Sequence, residues 1–306
     1  MWRAPGVCVQ IESGGATHVG RIRANNEDSY RIVAPLNLFV LSDGMGGEAH
    51  GEVASALAVE TVAAHCTEAL TGSLTPFQHP ASPELSVETR LLVNAVRLAN
   101  RKIHEAAQAS AEHHGMGATM TAAWVVDRRL SLVHVGDSRA YLFRAGSLMQ
   151  LTQDHSLVAE QVRKGMLTPQ QAENSEMQSV LLRALGAQTD VEVDTEEVPL
   201  MADDVLLLCS DGLTRMLTEP EIATTLGLER DAQRAAERLV SLANDAGGFD
   251  NVTVVVARLK KSWDGWLARL LRGGRERRSR GPASSQGQGD FRECRSNFWA
   301  NARGSR

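Results

Sequence analysis

Apolar residues recur along this chain in two rhythms. Long tracts rich in Ala and Leu repeat them at helical spacing and predict helices over 48–70, 83–111, 219–226 and 231–246. Short runs of Val, Ile, Leu and Phe, bounded by Gly, Asn and Asp, predict strands over 7–11, 30–33, 38–42, 118–127, 130–136, 139–144, 191–198, 204–210 and 251–259. A loop with three prolines fills 71–83, and 152–189 is mostly polar with weaker helical signals. Strands come in meandering groups and the long helices in pairs. That pattern is α+β, with antiparallel sheets packed together and helices covering them. Beyond about Lys261 the composition turns to Arg, Gly, Ser and Gln, which marks the end of a globular domain and the start of a disordered tail.

Several strands end on an acid. LFVLSDGMGG finishes an apolar run on Asp43 and then sheds side chains. VLLLCSDG repeats the pattern at Asp211. Asp28 and Asp250 immediately precede strands, and Asp137 sits in a tight turn between two. Any one of these is an ordinary turn former. As a set, carboxylates at the ends of buried strands are costly unless something compensates their charge, and gathered together they raise one another's pKa. Hard divalent cations such as Mg²⁺ and Mn²⁺ take carboxylate, carbonyl and water oxygens and remove the problem. Gly44, lacking a Cβ, lets its carbonyl come close to such an ion. A carboxylate that bridges two ions fixes a water between them, and its chemistry is the in-line hydrolysis of a phosphate ester. Arg23, just before the Asn26-Glu27-Asp28 cluster, is the candidate clamp for the phosphate.

Bulk properties narrow the choice. The 306 residues are 43% hydrophobic and 23% charged, as in a soluble globular protein. No apolar run approaches the length of a membrane span and no export signal opens the chain, so cytoplasmic residence is expected. The four cysteines form no C-x-x-C pair, so zinc and a disulfide framework are not indicated; Cys66 and Cys209 read as core residues. The net charge of −5 is divided: 262–306 carries ten Arg and four acids, net +6, and leaves the body at −11. A nucleic-acid partner conflicts with that acidic body. No P-loop, dinucleotide fingerprint or nucleophile elbow is present.

Seven short motifs then occur in one order: R-x-x-N-E-D (23–28), D-G-M-G-G (43–47), G-M-G-A-T-M (115–120), V-G-D-S-R-A-Y (135–141), L-T-Q-D-H-S (151–156), S-D-G-L (210–213) and D-N-V-T (250–253). In that order they resemble the metal-dependent Ser/Thr phosphatases of the protein phosphatase 2C class, most closely its short bacterial members, over about residues 7–260. The resemblance implies an α-β-β-α sandwich: two packed antiparallel sheets flanked by helix pairs. It implies Asp43 as the ligand bridging two core Mn²⁺ or Mg²⁺ ions, the Gly44 carbonyl completing the second, and Asp211 and Asp250 on the first. Glu27 and Asp28 would support the pair, and Asp137 would hold a third, looser ion. Arg23 would clamp the phosphate, and 152–189 would be a mobile flap within a phosphatase domain spanning 1–261. Phosphorylated proteins, a cognate Ser/Thr kinase among them, would be the partners of a monomer. Many relatives carry His where this chain has Met45, which cannot donate a proton. His50 and His155 read as surface or structural residues, so no general acid is assigned. The rival reading is a non-catalytic phosphatase-like module that binds phosphoproteins; this chain retains every metal acid, which argues against it. In the tail, Trp263, Trp266, Leu267, Leu270 and Leu271 form one apolar helical face. The segment 262–280 would either pack back on the domain or touch an anionic membrane or acidic partner.

Overall fold

The computed structural model describes residues 10–46, 50–71, 84–110, 112–173 and 175–260, within one compact unit, Val9–Lys261. The tail and its amphipathic segment lie outside the described residues. Among the described residues, eleven strands fall into two antiparallel sheets. The first has the order β1 (Gln10–His18), β11 (Val252–Lys260), β10 (Val205–Cys209), β7 (Arg139–Arg144), β8 (Ser147–Gln150). The second runs β2 (Asp28–Val33), β3 (Leu38–Met45), β5 (Met120–Val126), β6 (Arg129–Val135), β9 (Asp194–Pro199), with the two-residue β4 (Gly117–Ala118) on β3. Helices α1 (Gly51–Thr71) and α2 (Val87–Ala109) cover the second sheet. Short α3 (Leu157–Arg163) and α4 (Pro169–Glu173) follow β8; α5 (Asp211–Thr214), α6 (Glu219–Leu228) and α7 (Ala232–Asp245) cover the first sheet.

Period-two alternation builds four layers, because successive side chains of a strand face opposite ways. In β3, Leu38 and Val40 join the core under α1 and α2, whereas Phe39 and Leu41 point between the sheets. In β10, Val205, Leu207 and Cys209 face the α5–α7 side, and Leu206 and Leu208 meet Leu132, Leu142 and Val255 in the middle. Both faces of these strands are buried, which is why they read as unbroken apolar runs rather than alternating ones. The expected α+β sandwich is therefore the one observed, and Cys66 and Cys209 are fully buried free thiols within it.

Boundaries differ where glycine or a cap intervenes. The first strand runs to His18, not Ile11. Its Ser13-Gly14-Gly15 stretch has little strand propensity, yet a Cβ on Gly14 would lie 2.3 Å from the Gln233 backbone, so glycine is what lets α7 lie on β1. The second helix starts at Val87, because the Ser86 hydroxyl accepts from Thr89 N–H and caps it. Strand β8, absent from the sequence reading, is the return arm of a hairpin turning at Ala145–Gly146, both at positive φ.

Candidate active site

The strand-end acids collect at one end of the sandwich. Antiparallel pairing sets Asp28 opposite Asp43 on β2 and β3. Asp43 is pinned by its backbone: its N–H donates to Thr119 Oγ1 (2.9 Å) and its carbonyl accepts from Thr119 N–H (2.8 Å). Thr119 Oγ1 in turn lies 2.7 Å from Ser138 Oγ, beside the β6–β7 turn that carries Asp137. Ser210, ending β10, stitches the sheets together. Its hydroxyl donates to Asp28 Oδ2 (2.8 Å) and accepts from Thr253 N–H (2.9 Å). Asp211 then opens α5. A Cβ on Gly212 would sit 2.0 Å from the Asn251 carbonyl, so the glycine lets the turn holding Asp250 close on α5. The Asn251 amide donates to the Val19 and Asn25 carbonyls (2.9 and 2.8 Å), and its Oδ1 accepts from Glu27 N–H (2.8 Å). That side chain fastens the loop bearing Arg23 and Glu27 against Asp250.

Gly44 has a packing reason as well as a chemical one. A Cβ there would meet the Gly51 carbonyl at 2.1 Å, so the start of α1 rests on it. The Glu27 carboxylate lies against Gly51 and feels the charge of Asp250. Met45 packs its methyl towards Gly117 at the rim. His155 is buried: Gly136 N–H donates to its Nδ1 (3.0 Å), which places the ring proton on Nε2, 3.0 Å from Asp194 Oδ2. It supports the Asp137 turn. His50 is partly exposed beside Glu52. Neither histidine emerges as a proton donor to a substrate.

The charge is handled unevenly. Burial, then the proximity of Asp28, Asp211, Asp137 and Asp250, pushes the Asp43 carboxyl well above the usual range. Burial raises Asp28 to about 7, against the opposing hydrogen bonds of Thr253 and Ser210. Burial with Asp211 and Asp154 nearby raises Asp137 to about 8. Asp211 is raised by burial, opposed by Arg215. Glu27 is raised by burial and by Glu52. Two arginines intrude on the cluster. Arg23 grips Asp250 with Nε on Oδ1 (2.9 Å) and Nη2 on Oδ2 (3.0 Å), and this pairing raises its own pKa. Arg215 sets Nη2 2.6 Å from Asp211 Oδ2 and Nη1 3.4 Å from Asp250 Oδ2. Among the described residues no three carboxylate, His or Cys side chains stand arranged to hold a metal ion; the arginines occupy the oxygens that would turn towards one. The donor set nonetheless fits a hard cation. All candidate ligands are oxygens, burial and the neighbouring acids raise Asp28 and Asp137 to about 7 and 8, and Asp28 Oδ1 is buried without a hydrogen-bond partner. A cleft of about 990 Å³ opens from Asp137, Asp211 and Arg215 towards Asp154, Ser156 and Val162 of the 152–189 segment.

Arg215 escaped the sequence reading. Its signal was its place four residues after Asp211, the spacing at which opposite charges meet on a helix. No helix among the described residues is long and apolar enough to cross a membrane.

Comparison with known proteins agrees with this architecture. Residues 15–260 match the family model described as protein phosphatase 2C. The serine/threonine phosphatase stp of Listeria monocytogenes is 38% identical over 243 residues, 78% of this chain and 92% of its own length. The serine/threonine protein phosphatase PstP of Mycobacterium tuberculosis is 40% identical over 238 residues, 78% of this chain and 43% of its own. The crystal structure of PstP superposes with a TM-score of 0.72 at 38% identity, covering 82% of this chain and 99% of that one. A PstP catalytic-domain structure in complex with two manganese ions gives 0.68 at 37% identity, covering 82% of this chain and 99% of that one. The chain therefore belongs to the protein phosphatase 2C family, the metal-dependent serine/threonine protein phosphatases, in its bacterial branch.

Proposed function

We propose that the chain hydrolyses phosphoserine and phosphothreonine on proteins at a centre of two Mn²⁺ or Mg²⁺ ions. The observation that carries this reading is the convergence of Asp28, Asp43, Asp137, Asp211 and Asp250, distant in sequence, with the charged forms of the buried ones disfavoured by one another and by burial. Such a cluster asks for cations. Asp43, which feels all the other aspartates, would bridge the two ions; the Gly44 carbonyl would complete one shell, and Asp211 and Asp250 the other. Glu27 and Asp28 would support the pair from behind, and Asp137 would hold a third ion. The ions would lower the pKa of a water and offset charge building on the phosphate. Arg23, more than half exposed at 56%, would hold the phosphate oxygens with its planar fork. The segment 152–189 would form one wall of the substrate cleft.

Phosphoproteins follow as substrates, with a Ser/Thr kinase and its targets the expected source. The chain is read as a cytoplasmic monomer whose tail, 262–306, forms no part of the chemistry. The test is p-nitrophenyl phosphate hydrolysis with Mn²⁺, with and without chelator, on the parent, on Asp211→Asn and on a chain lacking 262–306. Turnover should need the metal, vanish in Asp211→Asn and survive removal of the tail. Turnover indifferent to chelator, or undiminished in Asp211→Asn, would defeat the reading; metal binding without turnover would favour a phosphoprotein-binding module.

A further inference from the structure

We infer that Arg215 sets how tightly this site takes divalent metal: its guanidinium is the resident cation of Asp211 and Asp250, and an entering ion must displace it. The inference rests on the reading of those two carboxylates as metal ligands.

Counting acceptors makes the case. A carboxylate offers about four lone-pair positions. At Asp250 all are taken: Oδ1 accepts from Arg23 Nε (2.9 Å) and Asn251 N–H (3.0 Å), and Oδ2 from Arg23 Nη2 (3.0 Å) and Arg215 Nη1 (3.4 Å). At Asp211, Oδ2 is held by Arg215 Nη2 at 2.6 Å, and the carboxyl also shares a hydrogen bond with Asp43. An ion cannot reach Asp250 until a donor leaves. Asn251 N–H is fixed by the backbone, so the donors that can leave are guanidinium groups, and only Arg215 spans both acids.

The longest of the four contacts, and so the weakest, is that of Arg215 on Asp250. A helix-surface salt bridge does not explain the arrangement. Helix α5 is a single turn, and the guanidinium leaves it to reach an acid in the turn before β11. The side chain is only 27% exposed and lines the cleft beside Asp137, which also feels its charge. Arg139, another cation lining the cleft, is engaged by Asp154 through Nε and Nη2 and by Tyr141 Oη, so it cannot substitute. A positive group this close to two ligands opposes a second positive group by Coulomb repulsion and competes for the same oxygens. Without metal, the same group relieves the repulsion among the acids.

Removing it should therefore move two readouts in opposite directions. Isothermal titration of the full chain with Mn²⁺ should show Arg215→Gln binding the ion roughly tenfold or more tightly than the parent. Arg215→Lys, which keeps the charge and loses the fork, should fall between them. In chelator the Gln variant should melt below the parent, and the gap should close or reverse as Mn²⁺ saturates both. Equal or weaker Mn²⁺ affinity in Arg215→Gln overturns the inference. Should that variant not fold in chelator, an affinity no higher than the parent's in Arg215→Lys overturns it instead. Asp211→Asn separates the two levels. Mn²⁺ binding unaffected by that change sinks the ligand assignment itself, whereas binding lost there and unmoved in Arg215→Gln sinks only the role of Arg215.

Discussion

The two sheets bring acids to the same place and treat them differently. On the β2–β3 side, Asp28 is met by the hydroxyls of Ser210 and Thr253, and Asp43, amid the other aspartates, is held through its backbone by Thr119. Their charge is suppressed by burial, and Asp28 titrates near 7. On the β10–β11 side, Asp211 and Asp250 keep guanidinium groups within hydrogen-bond reach. One half of the site stores protons and the other stores arginines. Both offset the crowded negative charge, and a divalent ion would displace one kind from each half. The difference teaches where the cost of gathering these acids lies. Desolvation dominates at Asp28, Asp43 and Asp211, where Arg215 opposes it, and ion pairing constrains Asp250.

The sharpest way to break this contrast is Asp43→Asn. In the proton-storing half the amide should relieve the buried carboxylate, so the variant should melt higher than the parent in chelator at pH 8. It should also lose more than about a hundredfold of Mn²⁺-dependent p-nitrophenyl phosphate turnover, since residues standing merely behind metal ligands already cost about 10–100-fold. Activity within tenfold of the parent would show that Asp43 is an ordinary turn acid.

How far the sequence reached follows from the same contrast. The acids of both halves were legible because each terminates or starts a strand whose apolar run is unmistakable; LFVLSD and VLLLCSD are strands before they are anything else. The four layers were legible in outline because two-sided burial leaves runs such as 204–210 wholly apolar. What stayed hidden was whatever depends on contact across the chain. Arg215 looks like any helix arginine until β11 is placed beside α5. Asn251, the first residue of the strand expected over 251–259, is the fastener of the Arg23 loop. The far half of β1 was concealed because its glycines answer to what packs on them, α7 at Gly14 and Tyr30 at Gly15, not to strand propensity. Glu27 is placed with the metal acids by the R-x-x-N-E-D resemblance, and only the fold shows its carboxylate lying by Gly51, whose backbone rests on Gly44.

A pH titration sharpens the comparison with a smaller effect. Asp28 and Asp137 have folded pKa values near 7 and 8, above their ordinary value of 3.8. Between about pH 4 and 8 the folded chain therefore holds more protons than the unfolded one, and stability falls as pH rises through that window. In chelator the melting temperature should decline from pH 5 to pH 8, with a shallower decline in Asp137→Asn. Saturating Mn²⁺ should flatten the slope, because the ion then supplies the charge that protons supplied. A slope identical in parent and Asp137→Asn would place the titrating groups elsewhere.

The smallest effect probes the seam between the halves. Ser210 is fully buried, and its hydroxyl bonds both to Asp28 across the sandwich and to Thr253 on the neighbouring strand. In Ser210→Ala, Thr253 loses its N–H acceptor and Asp28 loses a donor, while the change in volume is slight. Leaving such buried groups unsatisfied costs about 1–3 kcal/mol. Because the lost donor favours the charged form of Asp28, its pKa should climb further, so the deficit should widen between pH 6 and pH 8 in chelator. Urea denaturation at both pH values measures it. A deficit independent of pH would mean that the hydroxyl serves Thr253 alone and that Asp28 is held by the β2–β3 side without help from β10.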